Sequence, residues 1–238
     1  MMTELLFRAD SYLTEAEAVV LAHTPEGGIV VSASVFYPTG GGQPGDSGVI
    51  EWHGGRLVIA TAVKVEAGVA LVPAEPRPMP AVGSVVRQWI DWDRRYRHMR
   101  VHTALHLLSV VIPRPVTGGQ IGPERGRLDF DMPDAPDGVA AWGLALNRLI
   151  DRDLVVSESW ISDAELLANP GLVKTMKVAP PKGQGRVRLI RIGEGVTQID
   201  LQPCGGTHVA RLGEIGRVQM GKVENKGRQN RRVTIELG

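Results

Sequence analysis

The sequence predicts an α+β fold in which a small antiparallel β-barrel is followed by a domain whose helices pack on a mostly antiparallel sheet. Short segments rich in valine and isoleucine, separated by glycine or polar turns, fill the first part of the chain and are typical of a small barrel or sandwich. A long segment without proline or glycine follows, and beyond it helix-like and strand-like segments alternate. We expect a boundary near residues 88–93, which gives an N-terminal domain at 1–90 and a second domain at 91–238.

Six segments in the first part have the composition and length of strands. Most are bounded by glycine or polar residues, which favour turns. A stretch with four prolines, at 73–83, is a candidate linker that comes before the last of them. The predicted strands are 16–23, 28–36, 48–51, 56–66, 68–72 and 85–92.

The second part opens with the strongest helix signal in the chain. Asp93 is a candidate N-cap, no proline or glycine interrupts the segment that follows, and Pro113 ends it. Apolar residues at helical spacing indicate a second helix, and a shorter third one follows. The predicted helices are 94–112, 137–151 and 162–168, and the predicted strands are 186–192, 196–201, 214–224 and 231–237.

Composition excludes several classes of protein. Hydrophobic residues make up 43% of the 238 residues and charged residues 22%, which is ordinary globular usage rather than that of a disordered chain. The longest apolar segments fall well short of the roughly 20 residues that a membrane span needs. No basic stretch precedes an apolar core at the N-terminus, and the single cysteine cannot form an internal disulfide. We therefore expect a cytoplasmic protein with no membrane partner.

The net charge of +1 conceals two basic clusters, one at 94–100 and one at 222–232. Short basic runs of this kind can contact phosphates, although either one could equally be a solvated face. The candidates for phosphate contact are Arg97, Arg100, Lys222, Lys226, Arg228 and Arg231.

Two histidine and cysteine motifs suggest a metal site. On the predicted helix, His102 and His106 are four residues apart and therefore lie on one face, within reach of one ion. His98 and His102 have the same spacing, so spacing alone does not choose the pair. Far downstream, two glycines lie between Cys204 and His208 and favour a tight loop in which both side chains converge. Three imidazoles and one thiolate suit Zn²⁺.

The spacing also excludes two common zinc proteins. The long separation between the histidine pair and Cys204 does not fit a zinc finger, whose ligands close a short loop. Thr103 stands where an HExxH metalloprotease would carry its glutamate base.

The two motifs carry a family resemblance. HTALHLL at 102–108 and DLQPCGGTHVA at 200–210 resemble the paired zinc motifs of the alanyl-tRNA editing proteins (the AlaX family), which also occur in the editing domains of alanyl- and threonyl-tRNA synthetases. GRLDFD at 126–131 and GKVENKGRQNRRVTIEL at 221–237 are similar to two further segments of the family. The chain is identified as a member of the larger form of this family, which has an N-terminal domain.

The resemblance implies a freestanding hydrolase that deacylates mischarged tRNA(Ala), chiefly the seryl and in some cases the glycyl ester. It implies tRNA(Ala) as the partner, which the basic clusters would hold mainly through phosphates, and protein partners stay unknown. The implied zinc ligands are His102, His106, Cys204 and His208.

Editing is physically reasonable because a pocket for alanine cannot strongly exclude a residue that only adds a hydroxyl or only lacks a methyl group. A second site that hydrogen-bonds the serine hydroxyl would disfavour alanine, since its polar groups would go unpaired. Thr117 stands where the family carries a pocket threonine, and Gln120 is nearby, so both are substrate-binding candidates. The alternative for Thr117 is an ordinary turn residue.

A glycine-rich motif, TGGGQPGD, covers residues 39–46. It formally contains GxGxxG, but no helix and no GK[ST] follow, which excludes both phosphate-loop interpretations. A hairpin with glycines at positive φ would explain it. It also resembles the motif that larger AlaX proteins carry in their N-terminal domain, where it is linked to selectivity for the serine ester. The resemblance therefore adds Gly41, Gly42, Gln43 and Asp46 to the substrate-binding candidates.

The sequence identifies no general base and leaves the role of zinc open. Asp46 and Asp200 are both candidates, and Asp200 could instead orient a zinc histidine. Four protein ligands would close the site, whereas three would leave a position for a water or the substrate amino group. Two other functions share these features: a non-catalytic, zinc-stabilised RNA-binding module, and a zinc hydrolase for another ester.

Overall fold

The computed structural model describes residues 2–134, 138–174 and 185–238. The chain divides into two compact units, Met1–Tyr96 and Arg97–Gly238. None of the helices in the described ranges is long and apolar enough to cross a membrane.

The first unit is built mainly from short strands. They are β1 (Glu4–Leu5), β2 (Glu15–His23), β3 (Ile29–Val31), β4 (Ala33–Ser34), β5 (Gly48–Trp52), β6 (Gly55–Val65), β7 (Gly68–Pro73) and β8 (Val85–Ile90), with one short helix, α1 (Leu6–Ala9), after β1.

Six of these strands close into an antiparallel barrel in the order β2-β3-β7-β6-β5-β8, which confirms the predicted small barrel. Alternate residues point inward, as pleated strands require. On β6, for example, Leu57 and Ile59 are buried whereas Val58 is exposed. The barrel core is therefore a dense set of branched aliphatic side chains.

One predicted strand of the barrel is divided. The segment 28–36 is interrupted at Ser32, whose hydroxyl accepts a hydrogen bond from Val19 N–H at 2.9 Å. The chain then continues as β4, which pairs in parallel with β1 and lies outside the barrel.

The division between the two units falls within the long helix α2. The second unit contains both helices and strands. Its elements are α2 (Trp92–Val111), β9 (Val116–Ile121), β10 (Arg125–Asp131), α3 (Val139–Asp151), β11 (Val156–Ser162), α4 (Asp163–Ala168), β12 (Arg186–Ile192), β13 (Asp200–Pro203), β14 (Val218–Asn225) and β15 (Asn230–Leu237). The strands form two antiparallel sheets, ordered β14-β15-β10-β9 and β11-β12-β13, which confirms the predicted α+β class.

Helix α2 lies close to the four-stranded sheet at Gly126 of β10. A Cβ atom at this position would approach Val101 to 2.5 Å and Leu105 to 2.9 Å, both on α2. The missing side chain therefore allows the helix that carries the histidine motif to pack directly on the sheet.

Some predicted boundaries in the second unit are wrong. Helix α2 begins at Trp92, and Arg94 N–H donates to Asp91 Oδ1 at 3.2 Å, so Asp91 rather than Asp93 is its N-cap. The predicted strand 196–201 is replaced by a 3-10 helix at Gly195–Thr197 and by β13. The predicted strand 214–224 starts only at Val218, because Leu212–Ile215 form another 3-10 helix. The predicted start of the second helix, residue 137, lies outside the described residues.

Candidate metal centre

Four potential metal ligands from opposite ends of the second unit meet in one cluster. Helix α2 contributes His102 and His106, and the loop after β13 contributes Cys204 and His208. One ligand atom from each residue lies within 4.8 Å of all the others. Cys204 Sγ is 3.4 Å from His102 Nε2 and 3.3 Å from His208 Nε2. The structure therefore brings together all four residues that the motifs indicate.

These separations suit a single zinc ion. With Zn–S and Zn–N bonds of about 2.3 Å and 2.0–2.1 Å at tetrahedral angles, sulfur and nitrogen ligands lie about 3.5 Å apart. The two measured distances from Cys204 Sγ are close to this value. The group contains His106 and not His98, so the pair of histidines that spacing left ambiguous is His102 and His106.

Asp200 fixes the ring of His106. A carboxylate only accepts hydrogen bonds, so His106 Nδ1 donates to Asp200 Oδ2, at 2.9 Å, and in the neutral ring Nε2 is the nitrogen with a free lone pair. Asp200 is buried, and it also accepts hydrogen bonds from Lys174 Nζ at 2.6 Å and from the Gln202 amide at 2.8 Å. Of the two roles considered for Asp200, this geometry favours orientation of a metal-binding histidine.

Thr103 has the same effect on His208. Its hydroxyl donates to Met99 O at 2.9 Å, so the 3.2 Å contact with His208 Nδ1 is a hydrogen bond donated by the ring. The same oxygen accepts the Val209 N–H at 3.3 Å. Nε2 of His208 is then free to face Cys204 Sγ.

The shifted pKa values in the cluster favour the metal-binding protonation states of some ligands but not of all. Burial alone would raise the pKa of the Cys204 thiol, but the neighbouring imidazoles of His102 and His208 lower it well below its usual value. Burial and the neighbouring His102 hold the pKa of His208 well below its usual value. A thiolate and a neutral imidazole are the ligating forms. For His106, burial opposes the charge, but the hydrogen bond to Asp200 and the Cys204 thiol outweigh it and raise the pKa to about 9.

Both substrate-binding candidates of the second unit lie on β9. Thr117 is half-buried, and its Oγ1 lies 3.1 Å from Asp129 O and 2.9 Å from Asn230 Oδ1. Gln120 is exposed, and its Oε1 accepts a hydrogen bond from Arg127 Nε at 3.1 Å.

The glycine-rich motif forms a tight turn in the first unit. Gly40 and Gln43 exchange backbone hydrogen bonds of 3.0 and 2.9 Å, and the two residues between them, Gly41 and Gly42, have φ of 57° and 83°. Such backbone conformations favour glycine. Gln43 is buried, whereas the two glycines are exposed.

Asp46, at the end of this motif, is completely buried. Its carboxylate pairs with the buried Arg95 guanidinium and accepts the Tyr37 N–H at 2.6 Å. Arg95 also donates to the carbonyls of Ser11 and Val35. Asp46 therefore anchors the turn within the first unit, a role that the sequence did not predict.

The basic candidates differ in how many hydrogen bonds and ion pairs their side chains make. Arg100 donates from Nε and Nη2 to Ile215 O, and Arg97 pairs with Glu124 at 3.2 Å. Arg231 Nη1 donates to Asn225 Oδ1 and to backbone carbonyls within the β14–β15 turn, and its Nη2 donates to Pro133 O. Two of the remaining candidates, Lys222 and Arg228, are exposed, and among the described residues no ion pair involves them; the last, Lys226, is exposed and lies 3.5 Å from Glu224.

Apart from Asp200, sequence reasoning did not identify the residues that hold the ligands in place. Thr103 and Gln202 lie inside the two metal motifs, so the motifs themselves carry a signal for them. Lys174 and Arg188 lie in segments without any such signal and reach the site only through the fold.

Known proteins are similar to this chain over nearly its whole length. The family described as "Threonyl and Alanyl tRNA synthetase second additional domain" matches residues 187–234, which include Cys204 and His208. Alanyl-tRNA editing protein AlaX-M of Methanosarcina acetivorans is 34% identical over 247 residues, covering 99% of each chain. The AlaX-M protein of Saccharolobus solfataricus is 35% identical over 98% of each chain. An alanine–tRNA ligase of Caldivirga maquilingensis is 34% identical over 93% of this chain, but only 25% of its own length is covered.

The match to the AlaX-M proteins is of full length, whereas only a quarter of the ligase corresponds to this chain. Together with the four gathered donors, this shows that the chain belongs to the family of alanyl-tRNA editing proteins.

Proposed function

We propose that this protein is a cytoplasmic trans-editing hydrolase that deacylates mischarged tRNA(Ala), chiefly Ser-tRNA(Ala) and to a lesser extent Gly-tRNA(Ala). It is an aminoacyl-tRNA deacylase, that is, a carboxylic ester hydrolase. The observation that supports this most directly is the convergence of His102, His106, Cys204 and His208 in a chain that belongs to an editing family.

We propose Zn²⁺ as the cofactor. Three imidazoles and one thiolate form a donor set that prefers zinc to the oxygen-seeking ions Mg²⁺ and Ca²⁺. Asp200 and Thr103 orient two of the rings so that each offers Nε2. A zinc ion bound there would supply positive charge and Lewis acidity beside the ester.

The chain's own residues then have defined tasks. The aminoacyl ester is already activated, so the protein must place a water and stabilise the tetrahedral oxyanion. Asp200 is engaged with His106 and Lys174, and Asp46 with Arg95, so neither carboxylate is assigned as a general base. We assign the hydroxyl of Thr117 to recognition of the serine side chain, with Gln120 beside it on β9. We assign Gly41, Gly42, Gln43 and Asp46 to shaping the selectivity of the larger family members.

The domain assignment follows the same division of tasks. We propose an N-terminal β-barrel domain at 1–90 with the glycine-rich motif, and a zinc-binding editing domain at 91–238. The tRNA would be held through its phosphates by the basic candidates Arg97, Arg100, Lys222, Lys226, Arg228 and Arg231.

A deacylation assay tests the proposal. Purified protein is incubated with tRNA(Ala) charged with serine, glycine or alanine, and the released amino acid is counted. We expect fast release of serine, slower release of glycine and little release of alanine, and we expect Cys204→Ala to lose this activity together with its metal. Binding of tRNA without release of serine would instead indicate a non-catalytic RNA-binding module. Equal release from seryl esters of other tRNAs would indicate a different ester hydrolase.

A further inference from the structure

Arg188 forms hydrogen bonds with the loop that carries two of the four potential metal ligands. It lies on β12, the middle strand of the three-stranded sheet, and is 8% exposed. Its Nη1 donates to Cys204 O at 3.2 Å and to Gly206 O at 2.8 Å. Its own backbone carbonyl accepts the Cys204 N–H at 3.2 Å. A single residue thus holds Cys204 through both its amide and its carbonyl.

The loop needs such an external support because its sequence offers few side chains that could hold it. Gly205 and Gly206 follow Cys204, and a Cβ at Gly205 would meet no heavy atom within 4 Å. Glycine has more backbone freedom than any other residue, and ordering it costs the most entropy. The direction of the Cys204 thiol therefore depends on what holds the carbonyls on either side of Gly205.

Glu158 supplies the counter-charge for the buried guanidinium of this arginine. It lies on the neighbouring strand β11, and its Oε2 accepts a hydrogen bond from Arg188 Nε at 2.5 Å. Its side chain is 32% exposed, against 7% for Arg188. A buried guanidinium without a counter-charge is strongly destabilising. Because the guanidinium is a planar fork, it binds Glu158 through Nε and the two carbonyls through Nη1, whereas lysine would place all its donors on one nitrogen.

We propose that Arg188, held by Glu158, is a positioning residue for the metal centre. It fixes the carbonyls of Cys204 and Gly206 and thereby sets how the thiol faces the histidines of α2. This inference rests on the proposed function, because it requires that the four donors bind an ion.

The experiment compares Arg188→Met, Arg188→Lys and Glu158→Gln with Arg186→Met as the matched control. Arg186 lies on the same strand but is exposed, so its replacement makes the same chemical change away from the loop. Three quantities are measured: the affinity for Zn²⁺ by competition with a chromophoric chelator, the absorption spectrum of the Co²⁺ form, and the alkylation rate of the metal-free protein. The chain has one cysteine, so alkylation reports on Cys204 alone.

We expect Arg188→Met to bind Zn²⁺ about 10- to 100-fold more weakly, the range typical of residues that support metal ligands. Its Co²⁺ spectrum should change in the thiolate bands, and Cys204 should be alkylated faster. Arg188→Lys should recover part of the loss, Glu158→Gln should show a smaller loss in the same direction, and Arg186→Met should resemble the wild type.

Unchanged Zn²⁺ affinity and alkylation rate in Arg188→Met would overturn the proposal. If that variant does not fold, as judged by circular dichroism, Glu158→Gln decides, and wild-type Zn²⁺ affinity there would also overturn it. Failure of the wild-type protein to bind Zn²⁺ or Co²⁺ would refute the metal centre itself, which is a different outcome.

Discussion

At the scale of single residues, the candidate site consists of ligands and of the groups that aim them. His106 owes its orientation to Asp200, and Asp200 in turn is held by Lys174 and Gln202. Burial would raise the pKa of Asp200, but the hydrogen bond and charge of His106 and the charge of Lys174 lower it to about 2. Asp200 is therefore a carboxylate at any physiological pH and keeps the neutral His106 ring, the form that binds a metal, in one tautomer.

We expect Asp200→Asn to weaken Zn²⁺ binding about 10- to 100-fold, because an amide can donate to the His106 ring and so allow the wrong tautomer. Isothermal titration with Zn²⁺ measures this change. Asp151→Asn, on an exposed carboxylate of α3, is the control and should leave the affinity unchanged. An equal affinity in the two variants would show that Asp200 does not orient the ligand.

The pKa of His106 predicts a pH dependence for metal binding. In the metal-free protein this pKa is raised to about 9, so at lower pH the ion must displace a proton from the ring. We expect the affinity for Zn²⁺ to rise with pH up to about 9 and then to level off. Titrations in buffers of different ionisation enthalpy will count the protons released. No proton release at pH 7 would contradict this prediction.

Asp129 predicts a separate dependence of folding stability on pH. It is half-buried on β10, and although burial raises its pKa, the hydrogen bonds from Arg232 and Arg127 lower the pKa below its usual value of 3.8. A lowered pKa contributes stability above the unfolded-state value, and this contribution is lost as the pH falls through the folded-state value. Urea unfolding at several pH values should therefore show that Asp129→Asn is less stable than the wild type at pH 6, with a gap that closes below about pH 4. A gap independent of pH would contradict the assignment.

The four potential ligands could be predicted from the sequence. The residues that hold these ligands in place could be predicted only in part. Residues inside a motif reveal themselves by spacing, as His102 and Cys204 do. Arg188 and Lys174 act through contacts with residues far away in the chain, and no local pattern encodes such contacts. The choice between His98 and His106 likewise required the fold, since both satisfy the same spacing.

At the scale of elements, the contact of α2 with the sheet at Gly126 makes a sharp prediction. Gly126→Ala would place a methyl group 2.5 Å from Val101 and 2.9 Å from Leu105, so either the helix or the strand must move. We expect a loss of stability of about 1–3 kcal/mol, the usual cost of overpacking a core. Gly171→Ala is the control, because a Cβ there would meet no atom within 4 Å. Chemical unfolding of both variants measures the difference in the free energy of unfolding. Equal stability would show that the sheet adjusts to the methyl group without loss of stability.

Helices and strands could be predicted where a long run of consecutive residues carried the sequence pattern. The uninterrupted segment at 94–112 predicted α2 to within two residues, and β12 was predicted with its observed bounds. The hairpin of β9 and β10 was missed because Gly118 and Gly119 weaken the strand signal, which depends on branched side chains. The segment at 196–201 was assigned to a strand from its composition, whereas Gly195, at φ 52°, begins a 3-10 turn.

At the scale of the whole molecule, the net charge of +1 gives no general attraction to tRNA, so the proposed tRNA binding would depend on local basic clusters. We expect charge reversal of Lys222 and Arg228 to weaken deacylation of Ser-tRNA(Ala) and to reduce its salt dependence, with the logarithmic slope falling by about 1 per lost phosphate contact. Arg231 is a poor choice for this test, because its guanidinium holds the hairpin turn. Zinc content should stay constant, and Arg152→Glu, exposed just after α3, serves as the control. Unaltered activity at low salt would remove these two residues from the tRNA interface.

The origin of the ligands at both ends of the second unit has a consequence for its folding. An ion bound to His106 and Cys204 would close a very long loop of chain, as a disulfide between the same positions would. Such a cross-link restricts the unfolded ensemble and ties the stability of this unit to the free metal concentration. If that ion is the proposed Zn²⁺, its withdrawal would weaken the fold of this unit together with the proposed hydrolysis.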